Sequence, residues 1–207
     1  MSLEDKVTFS YRTIAHRGSA LYKEKGSRFL GFAMHVADEV QVKHEIELLR
    51  KEYFDARHHC YAWILGANKN RIRASDDGEP NHSAGDPILG QIRASGLTNV
   101  LVVVVRYFGG TKLGVGGLMT AYKAAAEEAL RNAATEEREV MESVKLRYPY
   151  PSTPEVMKLV KDYELKITEQ LFEEDCLLKA ELPLRNKEAF VMKVDLLIAL
   201  GLPLKKE

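Results

Sequence analysis

The stretch "VLVVVVRYFGGTKLGVGG" (100–117) constrains this chain more than any other. Six consecutive aliphatic positions without polar alternation read as a fully buried strand. Five glycines then fall within nine positions, at Gly109, Gly110, Gly114, Gly116 and Gly117, ahead of an alanine-rich helical pattern. Strand, glycine loop and helix in this order form the layout of many phosphate sites, where loop amides and the helix N-terminus meet an anion. Both standard nucleotide loops fail on spacing. A P-loop needs lysine where Val115 stands, and the third glycine of a dinucleotide turn falls on Met119. Two readings stay open: Arg106, Tyr107, Thr111, Lys112 and the loop amides bind an anion such as an RNA phosphate, or the glycines only permit positive φ and close packing. Arg106 ends an apolar run, so it must find a partner or reach solvent.

At 207 residues the chain suits one or two domains. Its net charge is zero, with 18 Lys+Arg against 15 Asp+Glu in residues 1–135 and 12 against 15 in 136–207. That mild asymmetry excludes the strongly basic footprint of a dedicated DNA binder. No apolar run approaches a membrane span, and "MSLEDKVTFSYRTI" lacks the basic and apolar regions of a secretory signal. Only Cys60 and Cys176 occur, which argues against a disulfide framework and for a reducing cytoplasm. All six histidines fall within the first 82 residues, which places any chemistry there.

Residues 11–36 read as extended segments punctuated by Gly18 and Gly26. Asp38 is the expected N-cap of a helix near 39–54, with Val42, Ile46, Leu49 and Tyr53 on one stripe. Strands at 58–66 and from 71, a helix after Ser83, the buried strand and a helix from about 118 to 134 complete a first domain over 1–135. The charged "ATEEREVME" (134–142) marks the boundary. Residues 136–207 follow in a β-α-β-β-α order with room for a short last strand, a ferredoxin-like unit.

Two further constellations stand in the first domain. In "ASDDGEPNHSAG" (74–85), Asp76, Asp77 and Glu79 are clustered carboxylates able to hold Mg²⁺ or to act as acid and base. Asp-Gly and Glu-Pro are equally ordinary turn dipeptides, and Ser83 with Asp86 reads as a helix capping box. In "ARHHCYA" (56–62), strand alternation sends His58 and Cys60 to one face and His59 to the other, so the three do not converge on one metal.

With "KGSRF", "ARHHCYA", "ASDDGEP", "AGDPIL" and "VVVRYFGGTKLGVGGL" in this order, residues 12–131 resemble the IMPACT family, its bacterial YigZ-like branch in particular. The resemblance implies two α+β domains. The first contains a βαβ unit with a left-handed crossover and is similar to domain IV of elongation factor G; the second is ferredoxin-like and similar to its domain V. The family's usual "SGTAG" is "NHSAG" here, with Asn81-His82 for Ser-Gly and Ser83 for Thr. Eukaryotic relatives regulate translation by binding a kinase activator through an additional domain, a partner not implied for this sequence.

The resulting expectation is a non-enzymatic cytoplasmic protein that binds RNA or the translation machinery and takes part in translation regulation, with no cofactor and no metal. Arg106, Tyr107, Thr111, Lys112 and the five loop glycines would form the anion surface. His58, His59, Arg71, Arg73, Asp76, Asp77, Glu79 and Ser83 would extend a polar cleft. Two alternatives remain: an enzyme acting on a phosphorylated or nucleotide substrate, and a pure protein-interaction module.

Overall fold

The computed structural model of the protein describes residues 7–173 and 175–206. It divides into two compact units, residues 11–138 and a second formed by residues 139–206 with the segment before residue 11.

The first unit is built on a five-stranded sheet made from β2 (Gly18–Glu24), β3 (Ser27–His35), β4 (His58–Leu65), β5 (Arg71–Ser75) and β6 (Val100–Tyr107), in the order β2-β3-β6-β4-β5 with every neighbouring pair antiparallel. The aliphatic run forms β6, the central strand, and Val100 to Val105 are all fully buried. Its even-numbered valines pack with Cys60, Ala62 and Ile64 under helices α2 (Gly85–Ser95) and α3 (Gly114–Arg131). Its odd-numbered residues pack with Phe32, Met34, Trp63 and Leu65 under helix α1 (Glu39–Glu52). A strand covered on both faces cannot tolerate alternation, which is why the sequence shows none. Each valine so buried contributes about 1.5–3 kcal/mol relative to exposure.

Helix α1 starts where expected: the Asp38 carboxylate accepts from the Gln41 amide at 2.8 Å, and Val42, Ile46 and Leu49 are buried. Helix α3 lies unusually close to the sheet. A Cβ on Gly31 would sit 2.4 Å from the Ala125 carbonyl oxygen, so glycine opposite alanine sets this approach. Residues 134–139, within the stretch expected to hold the boundary, form strand β7 (Ala134–Glu139), which pairs with β1 (Ser10–His16) in a separate two-stranded sheet. Next to it, the imidazole of His35 contacts the Thr13 hydroxyl at 3.0 Å and Arg138 at 2.9 Å.

The second unit runs β8 (Met141–Pro149), α4 (Thr153–Asp162), β9 (Lys166–Leu171), β10 (Asp175–Pro183), α5 (Lys187–Ala199) and β11 (Lys205–Lys206). Its antiparallel sheet has the order β11-β8-β10-β9, the arrangement expected of a ferredoxin-like chain. Leu146, Tyr148, Leu178, Ala180 and Leu182 pack against Val156 and Leu159 of α4 and Phe190 and Val194 of α5.

Candidate nucleic-acid interface

Arg106 resolves the question its position raised. It is buried, and its Nη1 donates to the Glu79 carboxylate at 2.6 Å, with the guanidinium near the rings of Phe29 and Phe108. Its Nε is buried with no hydrogen-bond partner among the described residues. The side chain is therefore a strut between β6 and the 76–85 turn, and the expectation of a surface phosphate contact is corrected: a charge leaving an apolar strand found a carboxylate inside the protein. The same Glu79 oxygen accepts from the Tyr122 hydroxyl at 2.8 Å. The thiol of Cys60 lies 3.3 Å from the Tyr122 oxygen and 3.0 Å from the Asp76 carbonyl oxygen. Burial pushes the Cys60 thiol far up, so it stays protonated and is no nucleophile.

The neighbouring carboxylates are engaged separately. Asp76 accepts from the amides of His82, Ala84 and Gly85 at 2.8–2.9 Å and so satisfies the start of α2. Burial pushes its carboxyl upward, but the amides of Gly85, Ala84 and His82 outweigh it and hold the pKa below the ordinary aspartate value. Asp77 pairs with Arg50 at 2.7 Å and accepts from the His59 amide at 2.7 Å. Among the described residues no three His, Cys, Asp or Glu side chains gather as a metal site would require. Ser83 is not the cap that its spacing suggested. It is buried and donates to the Pro80 carbonyl at 2.6 Å, while Asp86 contacts His82 rather than closing a capping box. A carboxylate from the preceding turn reached the amides first.

Alternation places the two histidines as expected. His58, opposite Arg106 in the sheet, contacts the Asp77 carbonyl at 2.8 Å through Nδ1, while His59 sits under α1. Burial lowers the pKa of His59, and its Nε2 is buried with no hydrogen-bond partner among the described residues. Arg71 and Arg73 do not extend this polar cluster. They pair in register with Leu65 and Trp63, which puts them on the α1 face, and Arg71 is bound to Glu39. Tyr107 is likewise on that face. It donates to Asp55 at 2.6 Å, a hydrogen bond that pushes its pKa up to about 12, and Arg28 covers its ring.

The glycine loop itself answers both halves of the original alternative. Gly109 is there for packing, since a Cβ would sit 1.9 Å from the Gly26 carbonyl carbon, and its amide donates to Ser27 Oγ at 3.1 Å. The loop is shorter than the sequence suggested: α3 begins at Gly114, which takes φ +71°, so Gly116 and Gly117 lie in its first turn. Its N-cap residue Leu113 supplies no side-chain acceptor, its first turn holds no acid, and Gly114, Val115 and Gly116 are exposed. Thr111 and Lys112 are exposed beside it, with no partner among the described residues. Sequence reasoning missed Phe108 (55% exposed) and Lys25, whose turn with Gly26 abuts Gly109. The signal was present in "KGSRF", a segment distant in sequence but joined to the loop through the β3–β6 pairing.

These features define a two-unit α+β protein whose first unit carries an uncapped, glycine-started helix above a buried Arg–Glu strut. The chain belongs to the IMPACT family: the Impact N-terminal domain model matches residues 25–130. It is 36% identical over 172 residues to IMPACT family member YigZ of Escherichia coli, covering 82% of this chain and 84% of that protein. Identity to IMPACT family member YvyE of Bacillus subtilis is 36% over 132 residues, 64% of this chain and 61% of that one. A crystal structure of a hypothetical protein superposes with a TM-score of 0.77 at 32% identity over 97% of both chains.

Proposed function

We propose that the protein binds RNA, within the translation machinery or its regulation, through the surface formed by the glycine loop and the start of α3. The translational setting is what membership of the family implies, and the RNA part is carried by one observation. Helix α3 starts at exposed residues with no side-chain cap from Leu113, no first-turn acid, no acceptor for its first amides among the described residues, and Lys112 alongside. Such a terminus favours a phosphate oxygen through directed N–H donors and the helix dipole. Lys25 and Thr111 extend the phosphate-binding side, and the exposed Phe108 ring offers a base a stacking face. Arg106 holds this surface from beneath without touching the ligand.

The reading is tested with fluorescein-labelled oligouridine at two salt concentrations, wild type against Lys112→Ala. Wild-type affinity falls steeply with salt, and the variant binds more weakly with a log–log salt slope shallower by about 1. No binding by either protein, or equal binding by both, overturns it.

A further inference from the structure

On the opposite face of the sheet from the glycine loop, a cavity of about 340 Å³ opens between α1 and strands β4–β5. Val42, Ile46 and Trp63 supply its apolar wall, and Tyr61, Lys43 and Arg73 bring polar groups to it. The volume lies within the roughly 300–1,000 Å³ range of small-molecule sites.

The charges around it sort into spent and unspent. Glu39 is bound by Arg71, and Arg50 by Asp77. Lys43 and Arg73 have no partner among the described residues, against the single unpaired acid Glu47. On the floor, Trp63 is 5% exposed, and its indole N–H has no acceptor among the described residues. The Tyr61 hydroxyl beside it also has no partner among the described residues. Two neutral donors and two free cations over an aliphatic and aromatic wall leave only an acceptor-rich, negatively charged group unsupplied.

We propose that this cavity is a binding site for a small organic anion, one phosphate or carboxylate carried on a flat apolar body. The anion is taken by Arg73, Lys43 and the Trp63 N–H, and the body lies against Val42 and Ile46. Nothing in this site depends on the RNA surface, which uses the other face of the sheet.

Trp63 is the chain's single tryptophan, so intrinsic fluorescence reports on the floor of the site directly. The full chain is titrated with phenyl phosphate, benzoate and inorganic phosphate, and Arg73→Ala and Trp63→Phe are followed by calorimetry. Phenyl phosphate or benzoate saturates the Trp63 signal and tells which anion is preferred, Arg73→Ala weakens binding at least tenfold, and Trp63→Phe weakens it while the variant melts as a folded protein. Failure of both aromatic anions, inorganic phosphate binding as tightly as phenyl phosphate, or undiminished binding by Arg73→Ala overturns the proposal.

Discussion

Two helix starts in one domain have opposite fates. The first turn of α2 is closed by Asp76, whose carboxylate takes three backbone amides, in a turn further bound by Asp77–Arg50, Glu79–Arg106 and His58. The first turn of α3 has no side-chain cap and no acid, and its flanking Thr111 and Lys112 have no partner among the described residues. Both stand at the ends of glycine-containing loops on the same side of the sheet. The difference teaches that a cluster of acids is no sign of reactivity when each acid already has donors. A helix start kept free of acids is open to an anion from outside the chain.

The comparison breaks most visibly at Glu79. Glu79→Ala leaves the Arg106 charge buried and unpaired and costs about 3–5 kcal/mol of stability, measured by urea unfolding. A loss below 1 kcal/mol would mean that the strut carries little. Gly109→Ala comes next. Its Cβ overlaps the Gly26–Ser27 backbone, a clash that forces the loop to move and costs about 1–3 kcal/mol by the same measurement. An unchanged midpoint would show that the loop is not held there.

A smaller effect is expected with pH. Burial, with help from Arg138, lowers the pKa of His35, and burial lowers that of His59. Both groups take up protons more readily once unfolded, so their share of stability is full above the ordinary histidine pKa of about 6.5 and declines as pH falls below it. Urea midpoints from pH 8 to pH 5 should drop across that window, and less steeply in His35→Gln. A midpoint in His35→Gln that falls as steeply as in wild type contradicts the assignment.

Much of this architecture is written locally. The unbroken aliphatic run of β6, Asp38 before α1 and the alanines of α3 each state their place, because burial on both faces, capping and close helix approach select particular residue types. Alternation in "HHCYAW" also sorted His58 from His59 correctly. What could not be read was pairing across distance. Asp76, not Ser83, caps α2; Glu79 meets Arg106 across 27 positions; and Gly109 packs on a turn formed 82 positions earlier. Strand β7 gave no strand signal because both its faces are largely exposed, leaving no hydrophobic period to detect. Arg71 and Arg73 were grouped with the histidines by nearness in sequence, but the register of β5 on β4 turned them to the other face.

The most direct test reverses the difference between the two helix starts. Gly116 has open space where a Cβ would go and sits in the first turn of α3, so Gly116→Glu supplies the acid that α3 lacks. Helix propensity and the dipole both favour the change, by about 1 and about 0.3–1 kcal/mol. Thermal unfolding and oligouridine binding are then measured on the same preparation. A variant at least as stable as wild type that has lost RNA affinity is the predicted result; a stable variant that binds RNA as wild type does contradicts the claim that the start of α3 receives phosphate.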